Sequence, residues 1–122
     1  MALPRLKLEL LDDGLHARLL ERYQVYVHSR MITVPPGFVT DFASVPRFFW
    51  RILPPFGRYS PAAVVHDYLY ATALVTRREA DSIFYDLMRL CDVPAWKRSV
   101  MAQALRVFGG RAWAKHRRKE KE

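Results

Sequence analysis

Three short segments concentrate the side chains able to do chemistry. Thr40-Asp41-Phe42-Ala43-Ser44-Val45-Pro46 sets an acid and two hydroxyls in a loop after a strand. His66-Asp67-Tyr68-Leu69-Tyr70 carries an imidazole, a carboxylate and two phenols, and Ala80-Asp81-Ser82-Ile83-Phe84 adds a further carboxylate. A histidine oriented by a carboxylate is the usual layout of a general base: the acid fixes the tautomer and stabilises the imidazolium formed when a water proton is taken. His66 with Asp81 fits that role. Asp67, next to the base but pointing elsewhere, is free to bind a hard cation together with backbone carbonyls. Such a cation polarises an ester carbonyl and holds the developing oxyanion. The same residues also admit a plainer reading, a satisfied core histidine with Asp67 facing solvent and Asp81 favoured near a helix start by the dipole.

Two helices must meet for this chemistry. Ser60-Pro61 reads as a cap followed by proline and opens a helix running to about Ala73. Thr76-Arg77-Arg78-Glu79 is a capping box, starting a second helix that runs to about Cys91. Within the first helix His66 and Tyr70, four residues apart, share a face with Ala62, Leu69 and Ala73, while Asp67 lies about 100° around the axis. The connection near Leu74 to Thr76 folds the pair antiparallel and leaves His66 and Asp81 each about two turns from the bend. Phe84 then packs beside Tyr70.

Ahead of these helices the chain reads as β. Leu6, Leu8 and Leu10 alternate with Lys7 and Glu9, Asp12-Asp13-Gly14 is turn chemistry, and Leu15, Ala17 and Leu19 alternate with His16 and Arg18. Tyr23 to Val27 and Met31 to Val34 read as two more strands, the last ended by Pro35-Pro36-Gly37, which gives a small antiparallel meander. Ser44 caps a short helix with Pro46 in its first turn, ended by Pro54-Pro55. Pro94 opens a last helix that Gly109-Gly110 bends or interrupts. The sum is one α+β domain: an N-terminal β-meander followed by three or four helices, spanning residues 1–110, with a basic tail at 111–122 that is a frayed helix or disordered.

Composition bounds the answer. The 122 residues carry 20 Lys and Arg against 12 Asp and Glu, a formal charge of +8, and are 51% hydrophobic, enough for a core and against wholesale disorder. One cysteine, Cys91, excludes a disulfide framework and a Cys-rich zinc site, and reads as an inert structural thiol. No apolar run approaches a membrane span, and the start, where Arg5, Lys7 and Glu9 alternate with leucines, does not read as a signal peptide. HExxH, a phosphate-binding loop and a G-x-S-x-G elbow are absent. An HD-type phosphohydrolase needs further ligands and an all-helical fold, whereas His16 and His28 fall on predicted strands. The basic tail suits anionic lipid, an acidic partner or nucleic acid, without sequence-specific readout.

Two resemblances attach to these residues. Across roughly residues 31–110, the T-D-x-A-S-V-P, P-P-F-G, H-D-x-L-Y and A-D-x-x-F motifs in this order resemble a family of small phage and prophage proteins known only as a domain of unknown function. That resemblance implies a phage or prophage origin, hence the virion or the bacterial host cytoplasm. More distantly, "AAVVHDYLY…ADSIFYDLM" resembles the helix pair of the phospholipase A2 superfamily, especially its parvoviral and bacterial branches. That resemblance implies His66 as general base, Asp81 as the acid holding it, Tyr70 as the tyrosine supporting the network, and Asp67 on calcium. The glycine-rich loop that those enzymes place before the helix has no direct counterpart. The Phe56-Gly57-Arg58 turn, or the Thr40 to Ser44 loop with Asp41 as a second metal ligand, is left to complete the calcium site.

The segment between the motifs interleaves Phe48, Phe49 and Trp50 with Arg47 and Arg51. These are core residues, an interfacial surface for phospholipid, or a contact with phage structural proteins. Two functions compete. One is a calcium-dependent, phospholipase A2-like ester hydrolase. The other is a non-catalytic tail or morphogenesis component, an interaction protein in which His66 and Asp81 form a buried polar clasp.

Overall fold

A computed structural model describes residues 3–13, 16–42, 47–51 and 59–120. It is α+β, with antiparallel strands preceding three α-helices. Strand β1 (Leu8–Leu10) pairs antiparallel with β2 (Ala17–Leu19), matching Leu8 to Leu19 and Leu10 to Ala17. Between them, the Asp13 carboxylate accepts the His16 main-chain N–H at 2.9 Å, a local turn bond of the kind aspartate favours. Strands β3 (Tyr23–Val27) and β4 (Arg30–Val34) form a second ladder. Its two-residue loop, His28-Ser29, has positive φ at both positions (52° and 59°), the twist-matched hairpin geometry, here achieved without glycine.

The strands do not run as one continuous ladder. The free edge of β2 is taken by β5 (Val39–Thr40), giving a three-stranded sheet β1-β2-β5 beside the two-stranded β3-β4. The Pro35-Pro36-Gly37 turn is what delivers β5 there. Gly37, at φ 86°, donates its N–H to the Leu19 carbonyl at 2.7 Å, and Leu19 N–H returns a bond to Phe38 at 2.9 Å. The period-two pattern then sorts the side chains: Ala17, Leu19, Tyr23, Val25, Val27, Ile32 and Val34 face the core, and their neighbours face water.

A 3₁₀ turn (Arg47–Arg51) precedes the helices. The expected Ser44 cap, Pro46, Pro54-Pro55 and the Phe56-Gly57-Arg58 turn lie outside the described residues, as do Gly14 and Leu15. Helix α1 (Ser60–Thr72) starts one residue earlier than its sequence signal. Tyr59 is the cap, without a side-chain bond, and Ser60 is already helical. Nine of its thirteen residues are buried, so it is the central rod of the domain, apolar almost all round. Helix α2 (Arg77–Leu90) begins at the Thr76 cap, whose hydroxyl accepts the Glu79 N–H at 3.1 Å, and turns Ala80, Ile83, Phe84, Leu87 and Met88 inward.

Helix α3 (Ala95–Glu120) runs unbroken through Gly109 and Gly110, which the sequence marked as an interruption. The reason is close packing. A Cβ at Gly109 would lie 2.7 Å from the Tyr70 hydroxyl and 3.0 Å from Arg77 Nη1, so glycine is what lets α3 approach α1 and α2. Nor are residues 111–120 a frayed or disordered tail: they continue the helix. Arg117 Nη2 donates to the carbonyls of Tyr70 (2.7 Å) and Ala71 (2.9 Å), two of the orphan acceptors at the end of α1. Its guanidinium also lies over the Trp113 ring, which meets Tyr70 edge-on. No helix among the described residues is long and apolar enough to cross a membrane.

Candidate active site

Helices α1 and α2 pack antiparallel: Tyr59 at the start of α1 neighbours Phe84 in the second half of α2, while Tyr70 near its end neighbours Asp81 in the first. This brings together the three residues expected to form the catalytic core. His66 Nε2 lies 2.8 Å from Asp81 Oδ1, and the Tyr70 hydroxyl donates to that same oxygen at 2.6 Å. The His66 ring packs against both Phe84 (centroids 4.5 Å, stacked) and Tyr70 (4.4 Å, tilted). Phe84 therefore packs on the histidine itself. The His66 side chain is fully buried, whereas that of Asp81 is 20% exposed and reaches the surface.

Burial sets the protonation state. Desolvation pushes His66 below the ordinary histidine range, outweighing the hydrogen bond and charge of Asp81, which pull it up. The ring is neutral at neutral pH. Because a carboxylate can only accept, the Asp81 contact assigns the ring proton to Nε2 and makes Nδ1 the acceptor nitrogen of the ring. Tyr70 is raised well above the ordinary phenol range, by burial first and Asp81 second, so it is a fixed donor and not a base. Arg77 reaches this network from its other end and donates Nη1 to the Leu105 carbonyl at 3.1 Å.

Asp67 does not face solvent. It is 3% exposed, and Thr40 Oγ1 donates to its Oδ2 at 2.5 Å while accepting the Phe42 N–H at 3.1 Å. The hydroxyl of β5 thus ties the first motif to α1. Asp41, half-buried beside it, raises His116 on α3, which burial and then Lys119 and Arg117 lower. Among the described residues no three His, Cys, Asp or Glu side chains converge as a metal cage. A cation at Asp67 would therefore draw main-chain oxygens as well, and the candidate loops at residues 43–46 and 56–58 lie outside the described residues.

The aromatic segment divides. Phe48 is 60% exposed, Phe49 and Trp50 are half-buried against the core, and Arg51 is exposed. Phe48 and Phe49 both contact Phe108 of α3. The side chain of Arg47 lies outside the described residues. Cys91 is buried and its thiol is raised chiefly by desolvation, in keeping with an inert role. Gly109, Arg77 and Arg117 belong to the site's support, but none was marked by the sequence as part of it. The one hint was a Gly-Gly pair in an otherwise regular helix.

An α+β domain whose central buried helix meets its neighbour through a His-Asp-Tyr network is the class that fold and site define. The chain belongs to the family described as "Protein of unknown function (DUF1353)", whose model matches residues 17–105. It is also similar to the uncharacterized protein y4jT of Sinorhizobium fredii (strain NBRC 101917 / NGR234), 41% identical over 78 residues, 62% of this chain. The match spans 23% of that relative's length. No solved structure matches the chain.

Proposed function

We propose that this is a phage- or prophage-derived protein with a phospholipase A2-like hydrolytic site, acting on ester bonds of phospholipid or a related acyl substrate. The observation that carries the reading is the single Asp81 oxygen shared by His66 Nε2 and the Tyr70 hydroxyl, which fixes the tautomer a base needs. Nδ1 of His66 takes a proton from water, and the water oxygen bonds to the ester carbonyl carbon. Asp81 stabilises the imidazolium, which then gives its proton to the departing alkoxide as the carbon–oxygen bond breaks. Calcium held by Asp67, with Asp41 and main-chain oxygens, would supply a Lewis acid for the carbonyl. Phe48, Phe49 and Trp50, with Arg47 and Arg51, would meet the anionic lipid surface. The virion or the host cytoplasm is the corresponding location.

The complete burial of the His66 ring favours a second reading, a non-catalytic tail or morphogenesis component in which the network is a structural clasp. One assay separates them: fatty-acid release from anionic phospholipid mixed micelles, with calcium or chelator, for wild type, His66→Ala and His66→Gln. The hydrolase reading expects calcium-dependent release that falls at least ~10²-fold in both variants. His66→Gln keeps an N–H for Asp81 and so serves as the folded control. No release from folded wild type overturns the hydrolase and leaves the clasp.

A further inference from the structure

A groove of about 620 Å³ runs between α2 and α3, within the size range of small-ligand sites. Helical spacing builds it. Arg78, Ser82 and Tyr85, at i, i+4 and i+7, share one face of α2, and Ala102 and Arg106, four apart, face them from α3. Arg77 fixes the wall, since its bond to the Leu105 carbonyl pins the start of α2 beside Arg106. Three guanidiniums thus line one cleft whose single acidic lining residue, among the described residues, is Asp81. The Asp81 oxygen Oδ1 is already committed to His66 and Tyr70. Arg78 and Arg106 are exposed, and neither has an acidic partner among the described residues.

We propose that this groove binds a phosphate group of a small molecule or lipid headgroup. Guanidiniums match phosphate oxygens in paired, charge-assisted bonds, and an anion seated between Arg78 and Arg106 offsets the repulsion of their like charges. Arg78 and Arg106 grip the phosphate, Ser82 offers a hydroxyl, and Tyr85 with Ala102 gives an apolar wall for the ester's organic part. Asp81 repels the anion from the inner end and so directs it to the outer arginines. The site is separate from the proposed base: Asp81, which positions His66, lines the groove, and His66 does not. It therefore stands whether or not the chain hydrolyses esters.

The test uses the full chain at low ionic strength. Glycerol 3-phosphate and inorganic phosphate are titrated by amide chemical-shift mapping, and vesicles with and without phosphatidylglycerol are assayed by flotation. Wild type is compared with Arg78→Gln/Arg106→Gln, exposed changes that leave the core intact, and with Lys115→Gln/Lys119→Gln, which removes the same charge outside the groove. We expect saturable shifts at Arg78, Ser82 and Arg106, and at least a tenfold loss of affinity in the arginine variant but not the lysine variant. Loss confined to the soluble phosphates assigns a free phosphate ester, and loss confined to vesicles assigns a lipid headgroup. No binding of either kind, or equal losses in the two variants, overturns the site.

Discussion

Two histidine–aspartate pairs hang on α2, alike in chemistry and unlike in surroundings. His66 Nε2 meets Asp81 at 2.8 Å, and His28 Nε2, from the β3-β4 hairpin, meets Asp86 at 2.5 Å. The inner histidine is fully buried, while the outer pair is 28% and 33% exposed and shares its carboxylate with Arg89 at 4.0 Å. Water and mobile ions screen the outer pair, which straps the hairpin to the helix and is worth at most about 1 kcal/mol. The inner histidine has no such screening, and only its Asp81 partner reaches the surface. A second donor, Tyr70, and two aromatic faces fix its geometry, and burial sets its charge. The difference is one of environment, and it is environment that turns a common ion pair into a candidate site.

The sharpest way to break this comparison is to remove one carboxylate at a time. Asp81→Asn leaves buried His66 and Tyr70 without their charged acceptor, and should lower stability by about 1–3 kcal/mol. Any ester hydrolysis should fall at least ~10²-fold with it. Asp86→Asn should cost under about 1 kcal/mol and leave hydrolysis unchanged. Urea unfolding of both variants with unchanged m-values checks the stabilities. Equal losses would mean that burial does not distinguish the pairs.

A smaller effect tests the packing that shields the inner pair. Gly109→Ala places a methyl 2.7 Å from the Tyr70 hydroxyl, and the rigid ring cannot yield without leaving Asp81. The expected cost is about 1–3 kcal/mol, against the ~1 kcal/mol that alanine gains over glycine in a helix. In a Tyr70→Phe background the hydroxyl is gone and only the tip of Arg77, 3.0 Å away, must shift by a few tenths of an ångström, so the same substitution should become neutral or stabilising. A double-mutant cycle by thermal melting reads this change of sign. Additive effects would show that Gly109 is not there to admit Tyr70.

How much of this was legible in the residues follows from range. Capping at Thr76 and Glu79, the period-two strands and the His66–Asp81–Tyr70 meeting all depend on local spacing plus one short connection, and the pattern specifies them. The pairing of β2 with β5 depends on where Pro35-Pro36-Gly37 aims the chain, which spacing does not encode. The same holds for Arg117, whose charge reads as a solvated tail until α3 is laid against the end of α1 and its carbonyls become acceptors. Gly109 misled for the same reason: its low helix propensity is a local signal, and its contact with Tyr70 is a tertiary one that overrides it. Thr40 was visible as a hydroxyl in a motif, but its partner Asp67 lies 27 residues on.

The subtlest test asks whether the inner histidine is held neutral by the fold. Because burial lowers His66, the unfolded chain binds a proton there at a higher pH than the folded chain does. The stability that its neutrality contributes is fully present above the unfolded value, near 6.5, and is lost as pH falls below it. For one proton the slope cannot exceed about 1.4 kcal/mol per pH unit. His66→Gln keeps an N–H for Asp81 but does not titrate, so its urea midpoint should decline less steeply between pH 6.5 and 5 than that of wild type. Parallel declines would mean that His66 takes up its proton as readily inside the protein as outside. Nδ1 would then lose its lone pair to protonation just below neutrality, and the acid limb of any hydrolysis would begin there rather than at lower pH.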